Sequence, residues 1–283
     1  IPLRLVGSEM CIRDRNNSWA LEPRAGIKWQ FSPKSSFALA YGVHSRMEKM
    51  DVYFVKTQGT GDRSVNKDLG FTRAHHVMLS YGFKISDNMN MKIEPYFQQL
   101  YDVPVIADSS YSVLNRRDFY VENALVNRGK GRNIGVDITL ERYLNKGLYY
   151  MVTASIFDSK YYGGDRKWRN TLYNRNFIVN VLGGKEWMVG RDRQNMFSVN
   201  FKITLQGGDR YAPVDEVATL LDPDREVQYD ETKAFSKQFS PMFITNFSVG
   251  YKINRKKVSH EFSIKSLNTT GCEAVSYTHL TLP

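Results

Sequence analysis

An all-β, antiparallel transmembrane β-barrel is the fold class this sequence predicts, and three observations predict it. About ten runs alternate apolar and polar residues, as in Phe247, Ser248, Val249, Gly250, Tyr251, Lys252 and Ile253. Successive side chains of a strand point to opposite faces, so each run describes a two-faced strand. The connections alternate between short turns and long polar loops, the arrangement expected when one barrel rim carries turns and the other carries loops. Charges within the runs fall on the polar face, assigned to the lumen: Lys28, Lys84, Glu94, Asp137, Glu141, Lys202, Glu261 and Lys265. An Arg or Lys on the lipid face would cost about 2–4 kcal/mol at the midplane, whereas a lumen charge stays solvated. A soluble β-sandwich also alternates, but its loops have no reason to sort by length.

The first strand pair covers 24–31 and 37–47, with Ile27, Trp29 and Phe31 opposite in sense to Lys28 and Gln30, and a compact turn around Pro33. A loop rich in Gly, Asp, Asn and Lys spans 48–72. Strands 73–85 and 89–101 follow, joined by Ser86, Asp87 and Asn88, and Pro95 predicts a bulge or local distortion in the second. A second long loop is expected over 102–130. Strand 132–143 sets Ile134, Val136, Ile138 and Leu140 outward against Gly135, Asp137, Thr139 and Glu141, and Asn145, Lys146 and Gly147 turn the chain into 148–158.

Loop 159–174 holds Tyr161, Tyr162, Gly163, Gly164 and Trp168. In strand 175–188 the pair Gly183 and Gly184 reads as a bulge or a close approach of backbone. A basic turn at 190–194 leads to strand 195–206. The longest loop, 207–240, is rich in Asp, Glu and Pro and is expected to hold a short helix over 216–221. The last pair, 241–253 and 258–267, turns at 254–257.

No run of the 283 residues approaches the ~20 apolar residues of a helical span, and a barrel escapes that test because half of each strand is polar. Aromatics make up 13% of the chain, which suits strands and membrane interfaces. The formal charge of +10 is spread through turns and loops, as at Arg191, Arg193, Arg255 and Lys257, so no nucleic-acid partner is expected. Cys11 and Cys272 make neither a disulfide framework nor a metal cluster. Residues 1–15 (IPLRLVGSEMCIRDR) and 275–283 (VSYTHLTLP) break the rhythm and resemble translated sequencing-adapter read-through. They are set aside as foreign segments, leaving 16–274 as a partial barrel.

Four stretches carry a family resemblance: PRAGIKWQFSPKSSFALAYGVHS from Pro23, ALVNRGKGRNIGVDITLERYLNKGLYYMVTASIFDS from Ala124, LQGGDRYAPVD from Leu205 and FSVGYKINRKKVSHEFSIKSLNTTG from Phe247. Taken in this order, the region 19–271 resembles the C-terminal barrel of TonB-dependent outer-membrane receptors, the Bacteroidetes type above all. That resemblance implies a barrel of about 22 strands with a plugged lumen, of which about ten are present here. It also implies residence in the outer membrane and import of a scarce nutrient (an iron chelate, vitamin or glycan). The partners so implied are outer-membrane lipid, the small-molecule or glycan substrate, a surface lipoprotein, and the TonB complex acting through an N-terminal part that this sequence does not include.

Sites are sparse. His75 and His76 are adjacent on a strand and point to opposite faces, so they do not chelate one metal; no metal, cofactor or catalytic set is expected, and no enzyme. Gly129, Lys130, Gly131 and Arg132 lack Walker spacing and read as a loop entering a strand. The ligand candidates are the loop aromatics Tyr161, Tyr162 and Trp168 with Arg169, since aromatic faces stack on sugars or aromatic chelates and Arg pairs with anions. The alternatives are interface anchoring for these aromatics, and a passive porin, an adhesin barrel or a soluble β-rich domain for the chain.

Overall fold

The structure is a computed structural model that describes residues 20–56, 64–116, 122–223 and 227–272. The segments 1–15 and 275–283, with Cys11, lie outside the described residues. In chain order the elements are β1 (Arg24–Ser32), β2 (Ser35–Arg46), α1 (Met50–Tyr53), β3 (Thr72–Ser86), β4 (Met89–Val105), β5 (Val126–Asn145) and β6 (Leu148–Tyr162). Then come β7 (Trp168–Asn170), β8 (Phe177–Val189), β9 (Asn195–Gln206), β10 (Arg210–Tyr211), α2 (Glu216–Leu221), β11 (Lys237–Gln238), β12 (Met242–Asn254) and β13 (Ser259–Ser266).

Ten strands form an antiparallel meander in the order β1-β2-β3-β4-β5-β6-β8-β9-β12-β13, with β7 paired to β6 and β10 paired to β11 in a separate ribbon. The sheet is not closed: β1 and β13 are its two edges. Short turns join β1–β2, β3–β4, β5–β6, β8–β9 and β12–β13, all at one rim. Lys146 (φ 50°) and Gly147 (φ 75°) form one of them, both in the left-handed region that a twist-matched two-residue hairpin needs. At the other rim are four long connections: loop 1 (47–71), loop 2 (106–125), loop 3 (163–176, with β7) and loop 4 (207–241, with β10, α2 and β11).

Register settles which residues share a face, because directly paired residues project to the same side. Lys84, Asn90 and Glu141 stand in one row, and Glu94, Asp137 and Ser155 in another. Lys202 stands beside Asn246, Ser248 beside Lys265 and Lys252 beside Glu261, so the predicted polar set occupies one face. The other face carries Trp29, Ile134, Ile156, Phe247, Phe262 and Ile264, all exposed by 47–80%. On β5 that face runs from Arg142 near the turn rim through Leu140, Ile138, Val136 and Ile134 to Arg132. Ten residue steps on a strand tilted by about 40° give a height of about 25 Å, the height of a barrel's lipid-facing band.

The structure corrects several local expectations. Pro95 introduces no bulge: the β3–β4 register is the same on both sides of it, and only ladder positions beside the missing N–H are lost. Of the two readings of Gly183 and Gly184, close approach holds and a bulge does not: the register is unbroken, and a Cβ on Gly184 would lie 2.2 Å from Asn200 Oδ1. Strands β4 and β5 reach further than expected, and Gly129 to Arg132 lie inside β5 rather than in a loop. Tyr161 and Tyr162 belong to β6, and Trp168 and Arg169 to β7, not to a loop. The helix at Glu216–Leu221 is present, capped by Asp215, whose side chain accepts from Ala218 N.

Among the charges that stand on the apolar face, Lys185 lies next to the short-turn rim. Lys185 pairs with Val199, and its ammonium reaches the rim by donating to Lys146 O at 2.7 Å while lying 6.0 Å from the Trp187 ring. A long stem along apolar surface with its head at the polar boundary is how such a side chain is accommodated.

Candidate functional site: the long-loop rim

Among the described residues, buried apolar side chains gather in the long loops and at the loop-side ends of strands, as at Val43, Ala74, Val103, Val105 and Tyr161. Val52, Tyr53, Val55, Leu69 and Leu125 form a cluster, with Val65, Ile106 and Tyr111 packed against it. The four residues of α1 supply Val52 and Tyr53, so loop 1 folds back on itself and on loop 2. Asn66, 1% exposed, ties the two loops together: its Nδ2 donates to Asn123 O (3.0 Å) and its Oδ1 accepts from Leu125 N (2.7 Å). Arg116 and Asp51 add an ion pair, and the Arg116 hydrogen bond holds the Asp51 carboxyl below its usual range.

Loop 3 is braced on both sides. Asp165 N donates to Ser109 O (3.1 Å) and Leu172 N donates to Asn115 Oδ1 (2.8 Å), both in loop 2. Gly164 sits where a Cβ would lie 1.9 Å from Ile106 O, so only glycine allows loops 2 and 3 this close. Arg169 makes a two-pronged pair with Asp165 (2.9 and 2.5 Å) and also donates to Thr232 O of loop 4 (3.4 Å). That hydrogen bond is the main reason the Asp165 carboxyl lies below its ordinary value. Arg175 binds Asp209 (2.6 Å), and Arg210 reaches back to Asn174 O and Asn176 Oδ1 (2.7 Å each), fastening loop 4 to loop 3. Within loop 4, the Thr232 hydroxyl and Lys233 bring Asp230 down to about 2. The four loops thus form one cross-braced assembly.

The four ligand candidates divide between two faces. Tyr161 pairs with Gly131 and Arg169 and lies on the polar side. It is wholly buried, 6.1 Å from the Phe235 ring of loop 4, and its hydroxyl has no hydrogen-bond partner among the described residues. Arg169 is buried beside it. Tyr162 and Trp168 pair with each other on the opposite face, rings 5.4 Å apart, with Lys130 5.9 Å from the Tyr162 ring and Arg132 5.5 Å from the Trp168 ring. Once Tyr161 and Tyr162 are placed on a strand, adjacency alone sends them apart.

Below the loops, the polar face is knit by side chains across strands. Asn133 donates to Gln98 (2.7 Å) and accepts from Ser159 (2.6 Å), which in turn accepts from Thr171 of loop 3 (2.9 Å). Tyr149 lies across Gly184 to donate to Asn200 (2.7 Å), which donates to Ser248 (3.3 Å). Toward the short turns a cavity of about 590 Å³ is lined by Lys28, Lys84, Lys92, Glu94 and Glu141, with Lys92 paired to Glu94 at 2.8 Å. His75 and His76 do face opposite ways: His75 bonds the Tyr41 hydroxyl (2.8 Å) on the apolar side, and His76 lies 6.2 Å from His44 on the other. The asparagine clamps and Gly164 escaped sequence reading, since nothing in a polar loop marks which amide is buried. Chemically, the rim offers hydrogen-bonding and aromatic groups beside the polar face of an open sheet.

No protein-family model and no curated protein sequence matches the chain. Among solved structures it is similar to the ferric-catecholate import receptor Fiu from E. coli K12 in its closed form, at TM-score 0.58 and 11% identity, covering 89% of this chain and 31% of that one. It is similar to P. aeruginosa FpvA bound to heterologous pyoverdines, at TM-score 0.60 and 10% identity over 89% of this chain and 29% of that one. The FrpB iron transporter from Neisseria meningitidis gives TM-score 0.55 and 12% identity over 88% and 35%. The chain therefore spans about a third of the length of these structures. These likenesses show the fold: an open antiparallel sheet like part of the β-barrel of those structures.

Proposed function

We propose that the chain forms wall and loop rim of an outer-membrane receptor that binds a scarce nutrient and imports it with energy passed through TonB. The observation that carries this reading is the pairing of a two-faced wall, an apolar band on one side and a hydrogen-bonded polar face on the other, with long loops braced together at a single rim. A passive pore has less use for four interlocked loops, whereas a receptor needs a built surface that closes over its ligand. Iron chelates are the first substrate class to test, because Fiu is described as a ferric-catecholate import receptor and FrpB as an iron transporter. Tyr161 and Arg169, next to Phe235 and Thr232 of loop 4 on the polar side, are the ligand candidates.

The test is uptake by cells carrying or lacking the gene, supplied with limiting ferric chelate, vitamin or glycan, with and without a protonophore. Saturable uptake of one of these, lost on deletion and abolished by the protonophore, supports the reading. Uptake that survives the protonophore supports a passive pore instead.

A further inference from the structure

The histidines that share a face are not the adjacent pair but His44 and His76, on neighbouring strands. His44 stands opposite Ala74 and His76 opposite Gly42, so they occupy successive rows of the polar face. Met78 follows His76 by two residues and stands opposite Ala40 on the same face. All three line a cavity of about 280 Å³, together with Arg24 and the small residues Gly26, Ala40 and Gly42. Gly42 lets His44 lean across: a Cβ there would lie 3.0 Å from His44 Nε2. That nitrogen therefore hangs over the glycine that separates Arg24 from His76 in its row. The ring centres of His44 and His76 are 6.2 Å apart. With metal–nitrogen bonds of about 2 Å, two imidazoles on one ion hold their ring centres about 5–6.5 Å apart.

The donor set decides the metal. Among the described residues, no three His, Cys, Asp or Glu side chains converge as a metal site. Glu22 is the carboxylate near His44, and both its oxygens are taken, one by Ser45 N (2.6 Å) and one by Arg24 (2.8 Å). What remains is two imidazoles and one thioether. Imidazole suits several transition metals, whereas thioether sulfur selects monovalent copper and is passed over by hard divalent cations. We propose that His44, His76 and Met78 bind one Cu⁺ ion across β2 and β3. The Glu22 pair offsets the Arg24 charge beside the hollow, and an ion of single charge meets half the repulsion that a divalent one would. His75 takes no part, being bonded to Tyr41 on the opposite face. Neither the bilayer nor the identity of an imported nutrient enters this geometry.

The experiment titrates the purified protein in neutral detergent, with Cys11 and Cys272 replaced by serine, with Cu⁺ kept reduced by ascorbate and competed by the chelator bathocuproine disulfonate. One ion per chain is expected to be withheld from the chelator. Losing the outer partner of a metal ligand costs about 10–100-fold in affinity, and losing the ligand itself costs at least as much. His44→Gln and His76→Gln should therefore each weaken Cu⁺ binding by about 100-fold, while His75→Gln binds as the parent does. Met78→Leu should weaken Cu⁺ but leave Ni²⁺, held through the imidazoles, unchanged. His76→Met keeps a soft donor in place and should retain Cu⁺ while losing Ni²⁺, which separates loss of a ligand from loss of the fold. A parent that holds no Cu⁺, a His44→Gln and His76→Gln double variant that binds like the parent, or Zn²⁺ held more tightly than Cu⁺ overturns the site.

Discussion

Moving one charge across the wall distinguishes the two faces of β5 quantitatively. Ile138 and Thr139 are neighbours close to the midpoint between Arg132 and Arg142. Ile138 pairs with Ile93 and Ala154 on the apolar side, and Thr139 pairs with Lys92 and Thr153 on the polar side. In the proposed membrane placement, Ile138→Arg puts a guanidinium near the bilayer midplane, at a cost of about 2–4 kcal/mol. That is a factor of roughly 30 to 900 in the folding equilibrium. Thr139→Arg leaves the charge in a solvated lumen and should cost less than about 1 kcal/mol. Ile134→Arg, nearer the loop rim by about 14 Å along the strand, should fall between them. The assay is urea-driven unfolding of the protein from phospholipid vesicles, followed by tryptophan fluorescence. Equal costs for Ile138→Arg and Thr139→Arg, or a larger cost for Thr139→Arg, would refute the assignment of faces.

Three further expectations concern the loop rim. Asn66→Ala strands Leu125 N–H and Asn123 C=O; at about 1–3 kcal/mol for a buried unsatisfied group, limited proteolysis should cut loops 1 and 2 markedly faster while the strands stay protected. Gly164→Ala forces Ile106 O aside and separates loops 2 and 3, so amide exchange should accelerate in both loops and not in loop 1. The Asp165 carboxyl lies below its ordinary value because of Arg169, so the pair's contribution is full above the ordinary carboxylate pKa and is lost as pH falls through the lowered one. Protection of loop 3 should therefore be flat from about pH 7 to 5 and decline only below about 4, whereas Asp165→Asn should show the loosened state at every pH; a decline already complete at pH 5 would contradict the pairing.

The wall was legible in the sequence because its signal is local: a period of two needs no knowledge of tertiary structure, and Ile134 to Leu140 or Phe197 to Leu205 declare their face unaided. The short helix at Glu216–Leu221 was legible for the same reason, with Asp215 as its cap. Strand ends were less so. Gly129 and Gly131 look like loop residues until β4 and loop 2 pack against them; a Cβ on Gly131 would meet Leu114 at 2.9 Å and Leu100 at 3.2 Å. Pro95 suggested a distortion, yet β5 pairs with it in register and holds the strand straight through. The ligand candidates were chosen by residue type, and Tyr161, Tyr162, Trp168 and Arg169 turned out to serve two faces because the loop that was expected to gather them is partly strand. Loop-to-loop clamps such as Asn66, 57 residues from Asn123, carry no sequence signature, since a buried and a solvated asparagine look alike.

A wall with lipid on one side and water on the other is read directly by a cysteine scan along β5. In a background with Cys11 and Cys272 replaced, single cysteines from Ile134 to Glu141 would be placed in outer-membrane vesicles and labelled with a fluorophore. Labels at 134, 136, 138 and 140 are expected to be quenched by a lipid-soluble quencher, and those at 135, 137, 139 and 141 by a water-soluble one. Quenching that fails to alternate along the strand, or alternates in the opposite phase, contradicts the account.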